Sequence, residues 1–198
     1  LTENLFDNIA KKYDSEKQIH LAKKIQDKVK SELQETSDKV LLDYGSGTGL
    51  VSLDLAGLVK ELYLVDASKE MTEITSQKIK QKELRNAKAL EANLLTTELP
   101  FNADIILISL VLLHVPEIQT FLAKLKKQLN TGGKLLIVDF DLNEKITDKR
   151  VHNGFEKNYL KEVLEGIGFT DVLSETFYEG EKLFMNQDAS LCLTVARN

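Results

Sequence analysis

Short apolar runs alternate along this chain with stretches in which apolar residues recur every third or fourth position. The runs predict β-strands over 39–43, 61–65, 87–91, 103–109, 133–140, 170–178 and 189–196. The wider spacing predicts helices over about 49–58, 69–82, 117–129 and 155–166. Two further helices precede them. Leu5, Phe6, Ile9 and Tyr13 form an apolar stripe behind Thr2, a candidate N-cap. Ser15 and Gln18 have the spacing of a capping box for a helix with the apolar face Ile19, Ala22, Ile25, Val29 and Leu33. The lysines from Lys11 to Lys30 then read as a solvated face. Pro116 suits the first turn of the helix it opens, and Gly132-Gly133 closes that unit. The last two strands are separated only by residues 179–188, too few for a crossover helix, so they should pair antiparallel.

Strands alternating with helices predict an α/β fold with a largely parallel, doubly wound sheet. Its most informative stretch is Val40-Leu41-Leu42-Asp43-Tyr44-Gly45-Ser46-Gly47-Thr48-Gly49. A buried strand ends in an acid and then breaks into glycine at every second position. Open α/β sheets bind ligands beyond the carboxyl ends of their strands, and glycine lets the backbone come into contact with them. A dinucleotide fingerprint needs a different glycine spacing, and Leu50 stands where its third glycine would be. A P-loop is excluded because no Gly-Lys-Ser/Thr follows. No Lys or Arg lies between Leu41 and Val59, and Asp43 would repel a pyrophosphate. The loop therefore suits a nucleoside ligand bearing a cationic group. Asp66 ends the next strand about 20 residues on, where an acid can accept ribose hydroxyls. Ser68 is placed to cap the helix that follows.

The chain has 198 residues, 42% of them hydrophobic, enough for one sizeable domain. No apolar run approaches a membrane span, and no signal peptide is expected at the start. The single Cys192 cannot form an intramolecular disulfide, which fits a reduced, cytoplasmic setting. A net charge of −5 argues against a nucleic-acid partner.

The ordered series resembles the class I S-adenosylmethionine-dependent methyltransferases, in particular the small-molecule, quinone-methylating group. It comprises the glycine loop, Val65-Asp66-Ala67-Ser68 with Met71, Glu91-Ala92-Asn93, and Leu99-Pro100-Phe101. Ala103-Asp104 through Ser109, Leu113-His114-Val115, Leu129-Asn130-Thr131-Gly132-Gly133 through Asp139, Gly154-Phe155 and Gly168-Phe169 complete it. The resemblance covers nearly the whole chain. It implies a Rossmann-like doubly wound sheet of seven strands, mostly parallel with the last antiparallel, and helices on both faces. It implies S-adenosylmethionine as cofactor and no metal. It also implies a single methyltransferase domain, with a helical lid segment at 1–36 and a cofactor-binding core at 37–198.

By this resemblance Gly45, Gly47 and Gly49 cradle the cofactor, Asp43 faces its methionine amino group, and Asp66 holds the ribose. Ala67 and Met71 flank the adenine ring, and Ala92, Asn93 and Leu94 follow the third strand at the adenine edge. An acid often stands at or near Asn93 in the family; here it is an amide, which still offers an acceptor oxygen. Ser109 ends the fourth strand, where the family's backbone commonly faces the cofactor amine. Tyr13, in Phe6-Asp7-Asn8-Ile9-Ala10-Lys11-Lys12-Tyr13-Asp14, resembles the segment that covers the cofactor; otherwise it closes the apolar stripe.

Of the three histidines, His20 reads as surface. His114 and His152 are candidate bases near the carboxyl ends of the fourth and fifth strands, His114 alternatively a packed spacer. Asp139 and Asp141 end the same fifth strand, but their spacing with His152 is not diagnostic of a metal. The reaction this implies is in-line methyl transfer to a small acceptor by a monomer or homodimer. The alternatives are a regulatory protein that binds the cofactor without transfer, a nicotinamide oxidoreductase with a degenerate fingerprint, and a methyltransferase acting on protein or RNA.

Overall fold

The computed structural model describes residues 12–198, so Thr2 and the stripe Leu5, Phe6 and Ile9 lie outside the described residues. Seven strands form a sheet in the order β3-β2-β1-β4-β5-β7-β6. The chain divides into two compact units, Leu1–Asn93 and Leu94–Asn198.

In the first unit, α1 (Glu16–Lys30) starts at Ser15, whose side chain accepts from the Gln18 amide while the Gln18 side chain reaches back to the Ser15 amide. This is the predicted capping box, which satisfies donors that a helix start leaves open. Its buried side is Ala22, Ile25, Gln26 and Val29, a spacing of three and four. Ile19, in the first turn and expected on that face, is instead 49% exposed, whereas Gln26, one heptad further along the same face, is buried and donates to the Val51 carbonyl at 3.2 Å. Strands β1 (Val40–Tyr44), β2 (Glu61–Asp66) and β3 (Ala87–Glu91) are parallel, with Asp43 beside Leu64 and Val65 beside Leu90. Leu41, Leu42, Leu62, Leu64 and Val65 are buried, as the unbroken apolar runs require of strands covered on both faces. Each such side chain contributes about 1.5–3 kcal/mol of burial free energy. Helix α2 (Lys69–Gln81) follows β2. The helix expected over 49–58 is only a 3₁₀ turn, Leu53–Leu58. The glycine loop takes up its first residues, and the Ser52 hydroxyl is drawn onto Asp43, leaving too short a segment for an α-helix.

In the second unit, β4 (Ala103–Ser109) and β5 (Leu129–Phe140) are parallel. A single turn, Leu112–His114, and α3 (Ile118–Lys127) lie between them. Pro116 sits just ahead of the Glu117 cap of α3 rather than inside its first turn. Strand β5 starts four residues earlier than expected, because Leu129 pairs with Ala103 before a register shift at Ala103/Ile105. After α4 (Lys157–Ile167), β6 (Thr170–Phe184) and β7 (Gln187–Arg197) form a long antiparallel hairpin. It turns at Met185-Asn186, both with positive φ (48° and 60°), the arrangement of a two-residue hairpin turn. Strand β7 is antiparallel to β5 and β6 alike, so the reversed last strand is present as expected.

Candidate functional site

The glycine loop leaves β1 with Gly45, Gly47 and Gly49 all at positive φ (74°, 54° and 78°). The Gly45 and Ser46 amides donate to the Val65 carbonyl at 2.7 and 3.1 Å, which ties the loop to the end of β2. The Thr75 hydroxyl of α2 donates to the Gly47 carbonyl at 2.8 Å. Gly49 is needed for packing: a Cβ there would lie 2.8 Å from Leu53 Cγ and 3.2 Å from Leu64 Cδ2. A Cβ on Gly47 would meet nothing within 4 Å, so its backbone borders open space that a ligand can enter.

Asp66 organises this opening. Its Oδ2 accepts from the Gly47 amide at 2.9 Å and its Oδ1 from the Ser68 amide at 2.8 Å. Each oxygen keeps a further acceptor direction for a diol. The Ser68 hydroxyl accepts from the Met71 amide at 3.3 Å, the predicted cap of α2. Ala67 is exposed and Met71 half-buried beside it in sequence order. The Ala92 amide donates to the Asp66 carbonyl at 3.0 Å, which brings the end of β3 to the same acid, and Asn93 is exposed.

Asp43 is buried, 2% exposed, and accepts from the Ser52 hydroxyl at 2.5 Å. Burial pushes its carboxyl up to about 7; the Ser52 hydrogen bond opposes this, and the charge of Asp66 adds to it. A cation brought to this group would restore its charged form. A diol acceptor, an open backbone edge and a buried carboxylate awaiting a cation fit the ribose, carbon chain and amino group of a methionine nucleoside.

Tyr13 donates to Glu70 Oε2 at 2.9 Å, and this bond, then burial and the charge of Glu70, raises the phenol above its ordinary range. Asp14 does more. Its carboxylate accepts from the Thr48 hydroxyl and from Lys78 Nζ, both at 2.5 Å, and Lys78 also donates to the Thr48 carbonyl at 2.9 Å. Asp14, Ser52, Thr75 and Lys78 were not singled out from the sequence. Asp14 lies inside the quoted lid segment, and the others carried no local signal.

In the second unit Ser109 ends β4 opposite Val138, and Leu94 is buried. Leu110 follows in the left-handed region (φ 56°), a strained choice for a bulky residue, and its amide donates to the Val138 carbonyl at 2.8 Å. Asp139 is buried and accepts from the Phe140 and Leu113 amides at 2.9 and 3.1 Å. Burial pushes it to about 7 against the pull of those amides and that of Leu112. It thereby fixes the Leu112–His114 turn.

His152 is stapled to the same turn. Its amide donates to the Leu113 carbonyl at 2.8 Å, and its Nε2 lies 2.8 Å from the Val115 carbonyl. A carbonyl only accepts, so Nε2 carries the proton and Nδ1 holds the lone pair of the neutral ring. His114 is exposed and lines the same cavity of about 330 Å³ as His152, Lys149 and Arg150. His20 is exposed on α1, as expected. Asp141 accepts from the Thr176 and Ser190 hydroxyls, and among the described residues no group of three His, Cys, Asp or Glu is arranged to hold a metal.

The glycine loop, tied to Asp66 at the end of β2, on a seven-stranded sheet with a reversed β7 defines an α/β protein of methyltransferase type. The chain matches the methyltransferase-domain family over residues 35–183 and belongs to the class I S-adenosylmethionine-dependent methyltransferases, as the resemblance implied. It is 28% identical over 145 residues to a demethylmenaquinone methyltransferase of Geobacillus sp. (strain WCH70), covering 69% of this chain and 61% of that protein. The chain thus spans about three-fifths of that curated relative's length. Among solved structures, magnesium protoporphyrin IX methyltransferase from Synechocystis PCC 6803 with bound S-adenosylmethionine superposes with a TM-score of 0.74 at 19% identity, covering 98% and 91% of the two chains. A SAM-dependent methyltransferase from Aquifex aeolicus gives 0.69 at 19% identity over 96% and 97%. At these identities the structural likeness concerns the fold. No helix among the described residues is long and apolar enough to cross a membrane.

Proposed function

We propose that this chain transfers the methyl group of S-adenosylmethionine to a small-molecule acceptor. The observation that carries the proposal is the Asp66 carboxylate held by the Gly47 and Ser68 amides, with acceptor capacity left for a ribose diol. When bound, the cofactor supplies the sulfonium methyl and its own leaving group. The chain's residues then bind and orient. Gly45, Gly47 and Gly49 offer backbone to the cofactor, and Asp43 meets its amino group. Ala67 and Met71 enclose the adenine, with Ala92, Asn93 and Leu94 at its edge. The Ser109 backbone borders the methionine end, and Tyr13 with the 1–36 segment covers the site. Alignment and desolvation provide most of the acceleration, because the leaving group needs no protonation. Where the acceptor must lose a proton, His152 Nδ1 takes it, with His114 as the second candidate.

Several observations support a small acceptor. The Geobacillus relative acts, by its name, on demethylmenaquinone. The net charge of −5 disfavours nucleic acid. A cytoplasmic location and a monomer or homodimer complete the proposal. The test is calorimetric titration with S-adenosylmethionine, S-adenosylhomocysteine and NAD, on the chain and on Asp66→Ala. The expected result is binding of both adenosyl ligands but not NAD, lost in Asp66→Ala. Binding of NAD alone would replace the proposal with the oxidoreductase reading. Cofactor binding with no turnover on any acceptor would favour the regulatory one.

A further inference from the structure

The cavity of about 330 Å³ in the second unit has a chemistry that the transfer reaction by itself does not require. Its polar lining is His114, Lys149, Arg150 and His152, and its apolar wall includes Val115 and Pro116. No carboxylate lines it, although the whole chain carries a net charge of −5. Arg150 is paired, with Nε and Nη2 on Asp148, which leaves the outer guanidinium donors available. The Lys149 ammonium and the His114 ring have no partner among the described residues.

The walls are fixed before any ligand arrives. His152 is bound to the Leu113 and Val115 carbonyls, and Asp139 holds the Leu113 amide from below. A fixed turn edged by the cationic Lys149 and the outer face of Arg150, with no carboxylate in the cavity's own lining, offers a charge-assisted hydrogen bond to an anion. Its place, beside the turn after β4 and in the connection after β5, is at the carboxyl ends of two parallel strands, where such sheets carry ligands.

We propose that the cavity binds an oxyanion on the acceptor, a carboxylate or a phosphate monoester. Lys149 and His114 are its principal donors, and the outer face of Arg150 assists. This identifies the acceptor as an acidic small molecule and rests on the methyltransferase reading only for calling the ligand the acceptor.

The ring resonances of the three histidines report on it directly. The full chain is titrated at constant pH and ionic strength with phenyl phosphate, benzoate and the neutral benzyl alcohol. His20, exposed on α1, is the internal reference. The expected result is a saturable shift of His114 and His152, with His20 unmoved, for at least one anion and not for the alcohol. The anion that binds more tightly identifies the acidic group. Lys149→Gln, at an exposed position, should weaken that anion about five-fold or more. The inference is overturned if neither anion gives a saturable shift, if His20 moves in parallel, if the alcohol binds as tightly, or if Lys149→Gln leaves affinity unchanged. Calorimetry with S-adenosylmethionine on the same samples separates the two proposals. Cofactor binding without anion binding removes only the acidic acceptor, whereas anion binding without cofactor binding removes only the methyltransferase reading.

Discussion

The Gly47 amide donates to Asp66 Oδ2 at 2.9 Å, so the glycine loop and the candidate ribose acid are one hydrogen-bonded unit. The bond closes across the ends of β1 and β2. It holds the acid's orientation before a ligand binds, so less ordering remains for the ligand to impose.

Gly47 and Gly49 should respond differently to alanine. Both have positive φ, which costs a side chain about 1–2 kcal/mol. Gly49→Ala also drives a methyl into Leu53 and Leu64 and should lower thermal stability further. Gly47→Ala meets no atom, so its larger effect should be on S-adenosylmethionine affinity, where the added methyl occupies the space a ligand needs. Thermal melts and calorimetry on both variants check this; equal affinity in Gly47→Ala and the parent would remove the cradle assignment.

Asp43 and Asp139 both sit near 7, above the ordinary 3.8. Between about pH 4 and 7 the folded chain keeps protons that the unfolded chain has released. Each group therefore makes stability fall as pH rises through that window, by up to about 1.4 kcal/mol per pH unit, and stability is level above it. Asp43→Asn keeps an acceptor for Ser52 and should be more stable than the parent at pH 8, with a shallower slope below 7. If the Asp43 charge meets the amino group, affinity for S-adenosylmethionine should rise from pH 6 to 8 in the parent more than in Asp43→Asn. Denaturation and calorimetry across that range test both statements.

Asp14 and Lys78 are 12% and 17% exposed at their side chains, and together they clamp Thr48. Breaking such a partly buried pair from one side should cost about 2 kcal/mol, between the surface and fully buried cases. Asp14→Asn and Lys78→Met should each loosen the glycine loop and weaken cofactor binding. The double variant should lose less than the sum, because the second change relieves an unpaired charge. Additive losses in a double-mutant cycle would mean that the pair does not act as a unit.

His152→Ala should leave cofactor affinity unchanged and lower turnover by about 10²-fold or more if Nδ1 receives the acceptor's proton. A pH–rate profile separates this from a structural role, since the fall in rate at low pH, where the base is protonated, should disappear in the variant. His114→Ala measured alongside identifies which ring is responsible.

Much of this was legible from local pattern. The apolar runs, the glycines at every second position and the acids at two strand ends determined the fold class and the glycine turn after β1, because strand burial and tight turns depend on residues near in sequence. The Ser15–Gln18 cap and the Ser68 cap were readable for the same reason. Other features came only with the tertiary structure. Asp14 meets Thr48 across 34 positions and Lys78 across 64, and His152 meets Val115 across 37. Those contacts decide which ring nitrogen is free, which lysine is buried and what clamps the loop. The acidity of Asp43 is likewise invisible in its letter, since it follows from removal of water by the surrounding core. The 3₁₀ turn at Leu53–Leu58 belongs to the same class, because packing partners overrode helical spacing there, and the partner of the buried Gln26, the Val51 carbonyl, came only with the tertiary structure. Periodicity specifies which faces are buried; only the assembled chain specifies what each buried polar group finds beside it.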